Sequence, residues 1–244
     1  MQKLLFPFVL LWRIWFYLVA GVPIIIFSPL LLVAVSSEKL YPFFFKIAKA
    51  WGYLTLWGTG LFPFVVGRER IRKGKSYILV ANHTSMTDIM LMLVVAKDPF
   101  AFIGKEELSR IPIFGFFYRR TCILVNRNNP FSRKKALEEA SKLAKKGYGI
   151  CIFPEGGVPD YSTELGLFKD GAFRLAIEHN MPILPMLFLD TKKRHPYDKI
   201  AGGPGLLRVK IYHPIYPKTN DNLMQKPHLK SFVFRLFLKS IRKS

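Results

Sequence analysis

The stretch Asn82-His83-Thr84-Ser85-Met86-Thr87-Asp88 places an imidazole and a carboxylate five residues apart, between two apolar runs. A carboxylate bonded to one imidazole nitrogen fixes the tautomer and stabilises the imidazolium. The other nitrogen is then free to act as a general base near neutral pH and take the proton of an alcohol. Ser85 lacks the Gly-x-Ser-x-Gly turn of a serine nucleophile, so it is expected to hold the loop by hydrogen bonds. A metal centre would need further ligands. His179, His195, His213 and His228 show no clustered spacing, so no metal is expected.

For that chemistry the pair must sit where one element ends and the next begins. SYILVAN (76–82) reads as a buried strand, and IMLMLVVA (89–96) as an apolar helix that Ser85 or Thr87 would cap. Asp88 then falls in the first helical turn, close enough to fold back on His83. The same alternation recurs. Strands are expected at 99–105, 121–127, 148–155 and 181–189, and helices at 86–96, 106–118, 132–146 and 169–179. A further strand, LLRVKIYHPI (206–215), reads as an edge. Strand–helix alternation predicts an α/β fold, with a mostly parallel sheet flanked by helices. Active sites of such sheets lie at the carboxyl ends of strands, where His83 falls.

The amino-terminal segment has another character. Residues 4–35 carry a single charge, Arg13, and are long enough to span a bilayer core of about 30 Å, with Pro7, Pro23 and Pro29 as kinks. Residues 39–57 show helical apolar spacing, with Lys39, Lys46 and Lys49 on the opposite face, which suits an interfacial helix. Two full spans would put those lysines outside. A single span would set them against Lys3 and Arg13 across the membrane. A hairpin entering one leaflet keeps every lysine on the cytoplasmic side. Residues 1–60 are therefore read as a membrane-associated helical hairpin and 61–244 as the α/β domain.

The whole chain of 244 residues has 37 basic and 16 acidic residues, a net charge of +21, and is half hydrophobic. That excludes disorder and favours an anionic membrane surface over nucleic acid, for which no helix-turn-helix, zinc or single-strand signature is present. The tail 226–244 interleaves Lys226, Lys230, Arg235, Lys239, Arg242 and Lys243 with apolar residues at helical spacing. It would rest on a membrane or pack on the domain. Cys122 and Cys151 each lie in an apolar run, as buried core thiols do.

At this point the chain resembles the glycerolipid acyltransferases, the PlsC-like lysophosphatidic acid acyltransferase superfamily. NHTSMTD matches that family's N-H-x-S-x-x-D block. FIGKEELSRIPIFG (102–115), TCILVNR (121–127), FPEGG (153–157), FKDGAF (168–173) and PILPM (182–186) follow in the family's order, covering about residues 65–215. The resemblance implies transfer of an acyl chain from a thioester to the sn-2 hydroxyl of 1-acyl-sn-glycerol 3-phosphate, giving phosphatidic acid in phospholipid biosynthesis. It makes His83 and Asp88 catalytic. Lys105 and Arg127 become the acceptor's phosphate site, and Gly156 and Gly157 let backbone approach the ligand. Glu155 would bind the glycerol hydroxyl or hold Arg127 and the loop. Coenzyme A or acyl carrier protein brings the acyl group as co-substrate, with no bound cofactor.

One block departs from the family. Its usual F-P-E-G-T-R-S is here Phe153-Pro154-Glu155-Gly156-Gly157-Val158-Pro159, without the Thr and Arg. Lys169 is the candidate to supply the missing charge. The alternatives left open are another lysolipid acceptor and a non-catalytic lipid-binding protein of the same fold. The enzyme is expected on the cytoplasmic face of a membrane.

Overall fold

In the computed structural model the described residues are 2–217 and 222–243, with side chains from 6 to 217 and from 227 to 243. The side chains of Lys3 and Lys226 lie outside them. Seven strands among these residues form one sheet: β1 (Leu61–Val66), β2 (Ile78–Ala81), β3 (Phe100–Lys105), β4 (Cys122–Val125), β5 (Gly149–Ile152), β6 (Ile183–Phe188) and β7 (Gly205–Ile211). The spatial order is β1-β7-β6-β2-β5-β3-β4. From β6 to β4 every pairing is parallel, whereas β7 runs antiparallel to β6 and parallel to β1. The expected edge position of 206–215 is thus corrected, since β1 takes that edge. Pro63 in β1 has no N–H to donate, which an edge strand tolerates.

Helices cover both faces: α1 (Gln2–Ile26), α2 (Ser28–Ala34), α3 (Tyr41–Gly58), α4 (Thr87–Val95), α5 (Phe114–Thr121), α6 (Pro130–Lys145), α7 (Gly171–Glu178), α8 (Thr191–Arg194) and α9 (Asn222–Ile241). The helix expected over 106–118 is broken. A 3-10 turn at Glu106–Arg110 precedes α5, because Pro112 holds Ile111 extended. β2 and β6 are buried along their whole length, and alternate residues feed two cores. Leu79, Ala81 and Leu184 join Phe45, Leu56 and Leu91 on the α3–α4 side. Ile78, Val80 and Ile183 join Ala140, Phe173 and Phe237 on the α6–α7–α9 side.

The apolar face of α3 is spent on protein. A Cβ at Gly52 would lie 3.1 Å from the Met90 carbonyl oxygen, so α3 and α4 meet almost backbone to backbone. Lys49 does not point to solvent, because its Nζ donates to the Ala96 carbonyl at 2.5 Å, where α4 ends. α9 likewise packs on the domain. Val233 and Phe237 are fully buried, and Lys230 and Arg242 reach Asp170 and Glu164.

Residues Phe6–Ile26 of α1 form a helix long and apolar enough to cross a membrane. Trp12, Phe16 and Ala20, one turn apart in succession, dock on the body. The Trp12 and Trp15 indoles donate to the Thr59 and Gly58 carbonyls at 2.8 Å, and Trp51 returns the contact to Ala20 at 2.8 Å. The rest of α1 presents Phe8, Leu11, Leu18 and Ile25 outward.

Candidate active site

Apolar β2 ends abruptly in polar residues, most of which bond specific partners. The Asn82 amide donates to the Phe188 carbonyl at 2.9 Å and accepts from the Phe188 N–H at 2.8 Å. It thus extends the β2–β6 pairing by one side chain and fixes the chain immediately before His83. The His83 ring lies on Phe153, with centroids 4.2 Å apart and planes 18° from parallel.

Asp88 is completely buried in the first turn of α4. Its Oδ2 accepts from His83 Nδ1 at 2.9 Å and from the N–H groups of Thr84 at 2.7 Å and Ser85 at 2.8 Å. A carboxylate only accepts, so Nδ1 carries the proton and Nε2 carries the lone pair. Nε2 has no hydrogen bond among the described residues and is left for a ligand.

The back of the loop is tied to the amino-terminal helix. Ser85 Oγ donates to the His195 carbonyl at 2.6 Å and accepts from Thr87 N–H at 3.1 Å, the looping role expected of it. The Phe16 ring of α1 sits 4.3 Å from the His195 ring, and Arg13 donates to the Pro196 carbonyl. Both ring nitrogens of His195 are buried and have no hydrogen-bond partner among the described residues. Burial, then the Arg13 charge, lowers its pKa to about 4, so the ring stays neutral and packs as an aromatic.

Glu155 follows β5, the strand beside β2. Its Oε1 accepts from His83 N–H at 2.7 Å and its Oε2 from Gly166 N–H at 2.7 Å. Its partners are therefore the backbone of His83 and Gly166, and not Arg127. Burial raises the carboxyl to about 7 against the pull of these two bonds. A side chain at Gly166 would collide with Oε2 at 2.7 Å, which explains the glycine.

Lys105 ends β3 and Arg127 follows β4. His83, Glu155, Lys105 and Arg127 therefore stand in that order along the carboxyl edge. Lys105 is half exposed, with Nζ 3.5 Å from Glu107. Arg127 is partly buried with no ion pair among the described residues, and burial pulls its pKa below the ordinary value. The Gly156-Gly157 turn brings in a second cation. A Cβ at Gly157 would stand 3.4 Å from an Arg127 guanidinium nitrogen, and one at Gly156, where φ is +73°, would stand 2.7 Å from Lys169 Nζ. Arg127 and Lys169 thus lie against one turn, next to the residue that holds His83.

Sequence reasoning did not single out Asn82, Phe153, Gly166 or His195 as parts of the site. For Asn82 a signal was present, since an amide closing an apolar strand must find partners. The others are brought in by distant parts of the chain.

The Acyltransferase family model matches residues 63–189. A chloroplastic 1-acyl-sn-glycerol-3-phosphate acyltransferase of Brassica napus is 30% identical over 85% of this chain and 62% of its own length. One from Arabidopsis thaliana is 29% identical over 89% and 62%. This chain thus spans about three fifths of the length of those two relatives. The crystal structure of the 1-acyl-sn-glycerophosphate acyltransferase PlsC from Thermotoga maritima superposes with a TM-score of 0.82 at 27% identity, covering 100% of this chain and 97% of that one. With its sheet, its strand-end His–Asp pair and these matches, the chain belongs to the acyltransferase family.

Proposed function

We propose that this protein transfers an acyl chain from an acyl thioester to the sn-2 hydroxyl of 1-acyl-sn-glycerol 3-phosphate and releases phosphatidic acid. The observation that carries the reading is the bond from His83 Nδ1 to the buried Asp88, which leaves Nε2 as the free base. The names of the relatives, all acting on this acceptor, support the substrate.

In this mechanism His83 Nε2 takes the hydroxyl proton as the oxygen attacks the thioester carbonyl. Asp88 holds the ring and stabilises the imidazolium. The tetrahedral intermediate collapses, the C–S bond breaks, and the imidazolium proton passes to the departing thiolate. The ester C–O bond has replaced the C–S bond, with no acyl-enzyme and no bound cofactor. Arg127 and Lys169 bind the acceptor phosphate across the Gly156-Gly157 turn, and Lys105 adds charge nearby. The donor carrier is coenzyme A or acyl carrier protein, either of which suits a basic surface. Within the segment read as a hairpin, α1 holds the enzyme monotopically on the cytoplasmic face while α3 packs on the body, and 61–244 carry the chemistry.

The test is transfer from a labelled acyl thioester to lysophosphatidic acid, with His83→Ala alongside. Wild type is expected to form phosphatidic acid, and the variant to lose transfer by about 10⁴-fold or more. Wild-type turnover by the variant would remove His83 from the mechanism.

A further inference from the structure

The segment joining β3 to α5 has a geometry that acyl-transfer chemistry does not require. Leu108, Ile111 and Ile113 are 39%, 46% and 46% exposed. Ile113 has φ 62° and ψ −62°, and Phe114 N–H donates to the Pro112 carbonyl at 2.6 Å. That is a γ-turn of the positive-φ kind, centred on a β-branched residue, where glycine would be far easier to accommodate. The segment is also held firmly. Gly115 N–H donates to the Ile111 carbonyl at 2.7 Å, Arg119 bonds the Ser109 carbonyl, and any side chain at Gly115 would strike that carbonyl. A strained, well-braced turn holds two isoleucines out toward solvent.

The position of α1 indicates what covers them. Its docking contacts to Thr59, His195 and Pro196 lie level with the carboxyl edge of the sheet. The part of α1 before Trp12, exposing Phe6, Phe8, Leu10 and Leu11, therefore projects past that edge, by about 15 Å for ten residues. The isoleucine turn follows β3 at the same edge. His83 follows β2, which lies in the sheet between β6, next to the α1 contact, and β3. Arg110 within the turn and Arg119 and Arg120 behind it are exposed, although Glu106 and Glu107 stand at its base. A net charge of +21 favours an anionic surface.

We infer that Leu108, Ile111 and Ile113 form a second membrane-inserting element, which together with the amino-terminal end of α1 straddles the active site and seats its mouth on an anionic bilayer. The inference rests on the reading of the acceptor as a membrane lipid.

The test uses the full chain reconstituted in phosphatidylglycerol-containing vesicles. A fluorophore on Ile113→Cys should be quenched by bromines placed in the acyl region, with the unlabelled-site wild-type chain as background. Ile111→Asp with Ile113→Asp should slow acylation of a vesicle-borne acceptor at least tenfold. It should leave the rate on a short-chain acceptor dissolved below its micelle concentration unchanged. Ile113→Gly guards against misfolding, since glycine accepts the turn. It should melt no lower than wild type and still act several-fold more slowly on vesicles. No quenching, or wild-type vesicle rates in both variants, would overturn the inference. Shielding that appears only as protein concentration rises would assign the patch to a second copy and overturn it as well. Should wild type make no phosphatidic acid in either assay, the functional reading fails, and quenching alone decides the surface.

Discussion

The loop that carries His83 and the turn where Arg127 meets Lys169 share one sheet edge, yet they are built in opposite ways. The loop is tied down at almost every polar atom: Asn82 to β6, Asp88 to three donors, Ser85 to His195, and the His83 backbone to Glu155. The two cations have no acidic partner among the described residues, and the glycines beneath them let both side chains lie against the turn. The difference fits the work proposed for each region. A proton is transferred over a fraction of an ångström, so the base must be fixed before substrate arrives. A phosphate is bound by charge, and a cation already paired to an acid would have to give that partner up first.

The largest expected effect tests the fixed half. Asp88→Asn should lower kcat by about 10³–10⁴-fold, because the amide cannot stabilise the imidazolium and no longer dictates which nitrogen carries the proton. It should also lower the melting temperature, since a neutral oxygen replaces a carboxylate that accepts three bonds. Acceptor KM should barely move. Unchanged kcat would mean that the brace is structural only. Arg127→Ala probes the open half, and there the parameters should trade places. Loss of a charge-assisted phosphate contact should raise acceptor KM about 10–100-fold, with kcat within a few-fold of wild type. An acceptor lacking phosphate should be insensitive to the change. Equal losses on both acceptors would take Arg127 out of the phosphate site.

The same contrast governs what could be read from the sequence. The His83–Asp88 pair was legible because both residues lie in one short loop and their contact is local. Strand–helix alternation was legible because β2, β5 and β6 are apolar runs between turns. β1 was not, since Pro63 interrupts a short run whose partner β7 lies some 140 residues away. Residues 39–57 show the limit of periodicity, because an apolar face looks the same whether lipid or α4 covers it. Lys49 even carries its charge into that contact. The Glu155–His83 and Ser85–His195 bonds span 72 and 110 residues, and only the folded sheet brings them together. Lys169 was named from a later block of the sequence, but only the fold shows it lying against the Gly156-Gly157 turn beside Arg127.

Glu155 lies between the two halves and gives the finest test of where one ends. Its carboxyl is raised from 4.5 to about 7 by burial, so the folded chain keeps a proton that the unfolded chain releases over that interval. Stability contributed by this group is therefore complete below about pH 4.5 and lost as pH climbs through 7, by roughly 3 kcal/mol. Glu155→Gln cannot titrate, so the melting temperature of wild type should fall relative to the variant between those pH values. Parallel curves would refute the shift. The amide can also accept from only one of the two N–H groups now bonded, leaving His83 or Gly166 facing an NH2. As a brace, Glu155 should then cost about 3–10-fold in kcat with acceptor KM unchanged. A rise in KM would instead show that the carboxylate turns to the glycerol hydroxyl when acceptor binds, and Glu155 would belong with Arg127 and Lys169 in the half that waits for its ligand.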